Sequence, residues 1–293
     1  QQGARLHWVD KRNIVYNWFD KEERKYKCIK KNISNNSEIT FPLPIQDSFK
    51  NDYFITINYV TLNKTRPDYG YRNIKKENNN KNNAVYTVSF TTGVKEKLFT
   101  INDIKALLKI KNNNSIRRSR INHIMINPNG DKFIFLFRYY YKYTLKHVLL
   151  VYNLKDKHLK VLINNEMISH YCWLDNENII FWGIIKHKSD YFKFNTETRQ
   201  MQCLCTNLPD GHPSVLNDHT IVTDTYPDNK RNRKLLLVDI NKNNIKELLT
   251  SFESCKFVGE TRCDLHPHPH KNRIHFDSIE NGVRELSILE LDL

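Results

Sequence analysis

Apolar residues along this chain come in short alternating runs, and the alternation predicts strands rather than amphipathic helices. One phrase recurs: an alternating apolar strand, a polar turn, and a second short strand ending in Lys or Leu. It runs from Ala84 to Leu98, from His147 to Leu162, from Asp190 to Met201 and from Lys234 to Leu248. Tyr26 to Phe41 is a weaker copy, and Arg284 to Leu293 supplies the first strand once more. From His147 onward the successive starts lie 43, 44 and 50 residues apart, close to the ~40–50 residues of a propeller blade.

A second phrase precedes these hairpins. Asn127-Pro-Asn-Gly-Asp-Lys-Phe-Ile-Phe-Leu-Phe137 typifies it, with counterparts at Trp173–Trp182, Ser214–Asp224 and His268–Asp277. Each reads as strand, tight polar turn, strand, and Asn129-Gly130 supplies the positive φ that short hairpins need. Two phrases make four antiparallel strands. The fold class expected is therefore all-β, a β-propeller of four-stranded antiparallel blades in a single domain spanning 1–293. Six units are visible, at roughly 3–44, 45–100, 121–164, 167–206, 210–250 and 260–293. Residues 101–119 interrupt the pattern, and Asp103, Ile104, Ala106, Leu107, Leu108 and Ile110 predict a short helix there. The Asn/Lys run at 75–83 reads as a disordered loop.

Composition narrows the classes. Among 293 residues, 39% are hydrophobic, so one substantial core is within reach. No stretch has the ~20 apolar residues of a membrane helix, and Gln1-Gln-Gly-Ala-Arg5 lacks the apolar centre of a secretory signal. The chain does not start with Met, which reads as a fragment or processed form. Six cysteines without a CxxC pair favour reduced thiols and a cytoplasmic location, with Cys203 and Cys205 on one face of a strand as packing residues. A formal charge of +14 favours polyanionic partners, although Lys-rich loops account for part of it. Gly-rich phosphate loops, dinucleotide fingerprints, nucleophile elbows and zinc-finger cysteines are absent. The run Arg138-Tyr-Tyr-Tyr-Lys-Tyr143 is explained by strand alternation, and nucleic acid is not an expected partner.

The candidate chemistry is a set of histidines at one phase of the repeat: His123, His170, His212 and His266 each stand near the first strand of a unit. Equivalent positions in successive blades converge on the central channel. Neutral imidazoles there suit either a divalent metal or acid–base work. His266-Pro-His268 puts two imidazoles on one side of an extended segment, which His212 could complete as a facial metal site. His270 ranks lower, and His275 reads as structural. Arg138, Arg262 and Tyr226 lie near the same phase; Arg grips carboxylates bidentately, and Tyr can exchange a proton beside a sugar oxygen. Asp224 and Asp264 read as residues that bond backbone amides, Asp224 the more so.

Several of these phrases resemble a known group. Gln1-Gln-Gly, Arg66-Pro-Asp-Tyr-Gly-Tyr71, Asn122-His123 with Asn127-Pro128, Ser169-His170 with Trp173, Asp210-Gly-His-Pro-Ser214 with Thr223-Asp-Thr-Tyr-Pro227, and Arg262-Cys-Asp-Leu-His-Pro267 with Phe276-Asp-Ser278 are similar to phrases of bacterial propeller proteins related to oligogalacturonate lyases. Such proteins often accompany surface-polysaccharide genes. The resemblance covers nearly the whole chain and implies a seventh blade before Gln1. It implies β-elimination on an acidic, uronate-containing oligo- or polysaccharide with a manganese-type divalent metal. His212, His266 and His268 correspond to the metal set and His170 to the base. His123, Arg138 and Tyr226 join His170 as catalytic candidates, and Arg262 and Arg66 as substrate-carboxylate binders. Where the lyases carry Gln three residues before the His-Pro-His pair, this chain has Cys263. The contrasting expectation is a non-catalytic propeller that binds glycan or assembles a polysaccharide machine.

Overall fold

The computed structural model describes residues 3–71, 83–110, 116–242, 244–279 and 282–292. Strands β1 (His7–Trp8), β2 (Asn13–Asp20), β3 (Lys25–Asn32) and β4 (Glu38–Phe41) form the first sheet. The second holds β5 (Asp47–Phe49), β6 (Tyr53–Thr56), β7 (Ala84–Ser89) and β8 (Lys95–Thr100). The third holds β9 (Ile116–Ile126), β10 (Lys132–Tyr141), β11 (Thr144–Asn153) and β12 (His158–Asn164). Then follow β13 (Met167–Trp173), β14 (Asn178–Ile185), β15 (Lys188–Asn195) and β16 (Met201–Cys203), and next β17 (Ser214–Asn217), β18 (Thr220–Asp224), β19 (Asn232–Asp239) and β20 (Asn244–Phe252). The last sheet has β21 (His268–His270), β22 (Arg273–Ser278) and β23 (Glu285–Glu290).

Every sheet is an antiparallel meander in chain order, the arrangement of a propeller blade, and the fold is a β-propeller. Five sheets have the four strands expected; the last has three among the described residues. Helix α1 (Tyr59–Thr65), capped by Asn58, was not legible because it is one short insertion between β6 and β7. The interruption after β8 is helix α2 (Ile101–Leu107), whose Thr100 and Asp103 close a reciprocal capping box. Of the Asn/Lys run at 75–83, all but Asn83 lies outside the described residues.

The chain falls into two compact units, residues 1–161 and 162–293. In the first, Val15, Cys28, Phe41, Phe54, Val88 and Phe90 join the first two sheets in one apolar cluster. Phe133, Phe135 and Phe137 of β10 join Ile55, Val85 and Phe99 of the second sheet. The alternate residues Ile134 and Leu136 are also fully buried, so β10 reads as a continuous apolar run. At the turn before it, Gly130 takes φ +74 and sits against the Phe49 ring, so any side chain there would be strained and obstructed. In the second unit, Val222 and Leu235 pack on Leu265, Ile274 and Phe276. First strands of neighbouring sheets run side by side there, β13 with β17 and β17 with β21, and this juxtaposition assembles the site.

Candidate active site

His170 lies within β13, His212 just before β17 and His266 just before β21. Their rings form a row: the His170 and His212 centroids are 4.1 Å apart, and those of His212 and His266 4.2 Å. Each ring has its Nδ1 against a different carboxylate. His170 Nδ1 is 3.3 Å from Asp210 Oδ1, His212 Nδ1 2.9 Å from Asp224 Oδ1, and His266 Nδ1 3.5 Å from Asp277 Oδ2. Such a partner fixes the tautomer and ring orientation and directs Nε2 to the chemistry.

Local chain geometry enforces the row. Asp224, at the end of β18, is almost fully buried; its Oδ1 accepts the His212 amide at 2.6 Å and its Oδ2 the His266 amide at 3.0 Å. One carboxylate thus ties the starts of two adjacent blades together, the amide-bonding role expected of Asp224. Gly211 allows the approach, because a β-carbon there would collide with the Asp224 carbonyl. His266 itself takes φ +42, a left-handed turn between buried Leu265 and Pro267. Ser169 Oγ donates to Asp210 Oδ2 at 2.6 Å, which steadies the partner of His170.

The electrostatics separate the three rings. Burial, and then the neighbouring His212, push His170 down to about 4, so it is a neutral imidazole at physiological pH. Only 11% of its side chain is accessible. Burial also opposes a charge on His212, but the Asp224 carboxylate, with Asp264 and Asp210 adding to it, holds His212 above its ordinary value. Burial likewise disfavours charge on Asp224, and the His212 imidazole reverses this, lowering the carboxyl.

Among the described residues, His212, Asp264 and His266 form a group of potential metal ligands whose donor atoms all lie within 4.8 Å of one another. Asp264 Oδ2 receives Arg262 Nη2 at 2.6 Å, while Asp264 Oδ1 is buried without a hydrogen-bond partner. A buried carboxylate oxygen left so is costly unless a cation or ligand meets it. Two imidazoles and a carboxylate suit a manganese-type divalent ion, so the residues fit the group. His268 stands outside this trio, in β21 opposite His275. Asp264 joins His212 and His266 in this group, and no motif marked the aspartate as a candidate ligand.

Two further expected residues join the site. The Tyr226 ring is 5.6 Å from the His212 ring and 6.3 Å from the His170 ring, and the Arg262 guanidinium lies over it at 4.9 Å. The other three belong to residues 1–161 and are described within that unit. There Arg66 pairs with Asp68 at 2.8 Å and covers the Tyr69 ring at 4.8 Å. His123 meets the edge of that ring at 5.3 Å, and Arg138 Nε is 3.1 Å from His147 Nδ1. Asp210 and Asp277 were site residues that the sequence did not single out, and Asp264 had been read as a residue that bonds backbone amides, whereas its Oδ2 is held by the Arg262 side chain. Asp210 and Asp264 each stand two residues before a ranked histidine, and that shared spacing was the available signal.

No family model and no curated protein matches the chain at the sequence level. Solved structures do. An oligogalacturonate lyase in complex with manganese aligns at 10% identity over 99% of this chain and 88% of its own, with a TM-score of 0.60. TolB from Acinetobacter baumannii aligns at 14% identity over 98% of this chain, with a TM-score of 0.58. This chain spans only 63% of that TolB chain. An acylaminoacyl peptidase from Pyrococcus horikoshii aligns at 10% identity over 97% of this chain and 44% of its own, with a TM-score of 0.62. These likenesses establish the propeller fold and leave activity to the site. No helix is long and apolar enough to cross a membrane among the described residues.

Proposed function

We propose that the chain is a carbohydrate-active enzyme that cleaves an acidic, uronate-containing polysaccharide by β-elimination. The observation that carries the reading is the row of three carboxylate-backed histidines beside the unpartnered Asp264 oxygen. A scaffold propeller has no use for convergent, oriented imidazoles beside a buried carboxylate with one oxygen unmet. The likeness to a lyase solved with manganese supports the choice of chemistry, at the level of fold.

β-Elimination removes the proton on the carbon next to the uronate carboxylate and expels the glycosidic oxygen two atoms on. It needs a neutralised carboxylate, a base, and a proton for the departing oxygen. His212, Asp264 and His266 would hold a divalent cation, which supplies charge neutralisation of the substrate carboxylate when bound. His170 is the base: it is neutral, and Asp210 on Nδ1 orients Nε2 toward the proton and steadies the imidazolium that forms. Arg262 contributes a second positive charge for the carboxylate. Tyr226, whose ring lies near those of His170 and His212, carries the hydroxyl assigned as proton donor to the leaving oxygen.

The test is absorbance in the unsaturated-uronate band while the purified chain is incubated with polygalacturonate, alginate and glycosaminoglycan panels, with and without Mn2+. Product formation that is lost in His170→Ala, with substrate affinity retained, supports the assignment. Binding of acidic glycan without unsaturated product under every metal condition would make the chain a glycan-binding propeller, with His170 a recognition residue.

A further inference from the structure

The fourth sheet carries a thiol pair outside the histidine site. Strand β16 ends at Cys203, Leu204 turns inward to the core, and Cys205 takes φ +53. That left-handed residue folds the chain back so that the two sulfurs lie 3.7 Å apart. The pair is not a packing feature, as the alternation had suggested: Cys28, Cys172 and Cys263 are buried, but Cys203 is half-buried and Cys205 exposed.

The surroundings differentiate the two thiols. Lys188 Nζ, reaching from β15, lies 3.3 Å from Cys205 Sγ, so an ammonium stands where a thiolate would form. The same ammonium also reaches Cys203, but Cys203 Sγ faces Asp190 Oδ2 at 3.5 Å as well, and it is half-buried where Cys205 is exposed. Burial holds its thiol above the ordinary value, against the pull of Lys188 and with a small addition from that carboxylate. Asp190 cannot turn away, because its Oδ1 accepts the Thr206 amide at 2.9 Å and the Thr206 hydroxyl at 2.7 Å. An exposed thiol beside a cation, backed by a more protected thiol within reach, is the arrangement of an attacking and a resolving cysteine.

We propose that Cys203 and Cys205 form a reversible dithiol–disulfide site that exchanges with low-molecular-weight disulfides. The Cys205 thiolate attacks one sulfur of the small disulfide; that S–S bond breaks and the first small thiolate leaves with the electron pair. Cys203 then gives its proton to solvent and attacks Cys205 Sγ, forming the internal disulfide and releasing the second small thiolate. The protein loses two electrons and the small disulfide becomes two thiols, so the exchange balances.

The experiment treats the reduced full-length chain with oxidised glutathione, quenches by alkylation, and maps the cysteine peptides by mass spectrometry. The peptide holding Cys203 and Cys205 should appear as an internal disulfide, lighter by two hydrogens, before exposed Cys255 reacts. Cys203→Ser should stop at a glutathione adduct on Cys205. Lys188→Met should slow that first step several-fold, a magnitude on the order of the thiolate stabilisation one nearby cation provides. Modification of Cys205 and Cys255 at equal rates overturns the proposal, as does an internal disulfide that forms only in denaturant.

Discussion

Asp264 is the residue on which the metal reading turns. It is buried, its Oδ2 is held by Arg262, its Oδ1 has no hydrogen-bond partner, and the carboxylate lies beside the His212 and His266 imidazoles. Asp264→Asn keeps the shape and removes the charge, so Mn2+ affinity measured by calorimetry should fall at least about tenfold; removal of even an outer partner of a ligand typically costs about 10–100-fold. Unchanged affinity would remove Asp264 from the site. His268 is the competing ligand by sequence, and His268→Ala should leave Mn2+ affinity within about twofold if the trio alone binds. His170 offers a second measurement, made on chelator-treated protein. Folded, it stays neutral down to about 4; in the unfolded chain it takes up a proton near 6.5. The unfolded state therefore binds more protons in that interval, and stability is lost as pH falls from 6.5 toward 4, by on the order of 3 kcal/mol when complete. His212, raised by Asp224, has the opposite sign, with stability lost as pH rises through its folded value. The difference between wild type and His170→Asn isolates the His170 part: the variant should lose less stability on acidification, in urea titrations at stepped pH.

The site depends on how blade starts are tied, and here the sequence was informative for some elements and silent for others. The two recurring phrases placed His170, His212 and His266 at one phase, because strand periodicity and turn residues are local signals that need no tertiary knowledge. They missed α1, a single insertion with no repeat to betray it, but they gave the last unit only the first strand of its second hairpin, and the described residues of that sheet form three strands. They ranked His268 above Asp264 because an HxH pair is visible in one dimension. The Asp264 side chain is instead held by the Arg262 contact, which the pattern does not encode. Asp224 shows what holds these elements. It accepts two backbone amides and faces one imidazole in a nearly water-free setting, so Asp224→Ala leaves several donors unmet. The expected cost is about 3–5 kcal/mol, read as a lower denaturation midpoint with an unchanged denaturant slope. Gly211→Ala should act on the same joint, since its β-carbon would displace the Asp224 carbonyl. A stable Asp224→Ala protein would mean that apolar packing across Val222, Leu235 and Ile274 carries the joint alone.

At the scale of the whole molecule the dominant property is charge. A net +14 on 293 residues produces a field that draws polyanions before any specific contact forms. That field cannot by itself distinguish a polyuronate from nucleic acid; under the proposed function the histidine row makes the distinction, because β-elimination requires a carboxylate next to an acidic carbon proton. The two contributions separate by ionic strength. Long-range attraction is screened as the Debye length shrinks from roughly 14 Å near 0.05 M salt to about 6 Å near 0.3 M, while contacts inside a buried site are screened much less. Raising salt across that interval should weaken polygalacturonate binding by about tenfold or more through slower association, with kcat changed by less than about twofold. Stopped-flow association rates and steady-state turnover at matched salt concentrations check this. Equal losses in binding and kcat would place the field inside the chemical step. A steep salt dependence shared by polygalacturonate and single-stranded DNA, with no turnover of either, would leave charge as the only basis of recognition and remove the reason to assign the histidines to catalysis.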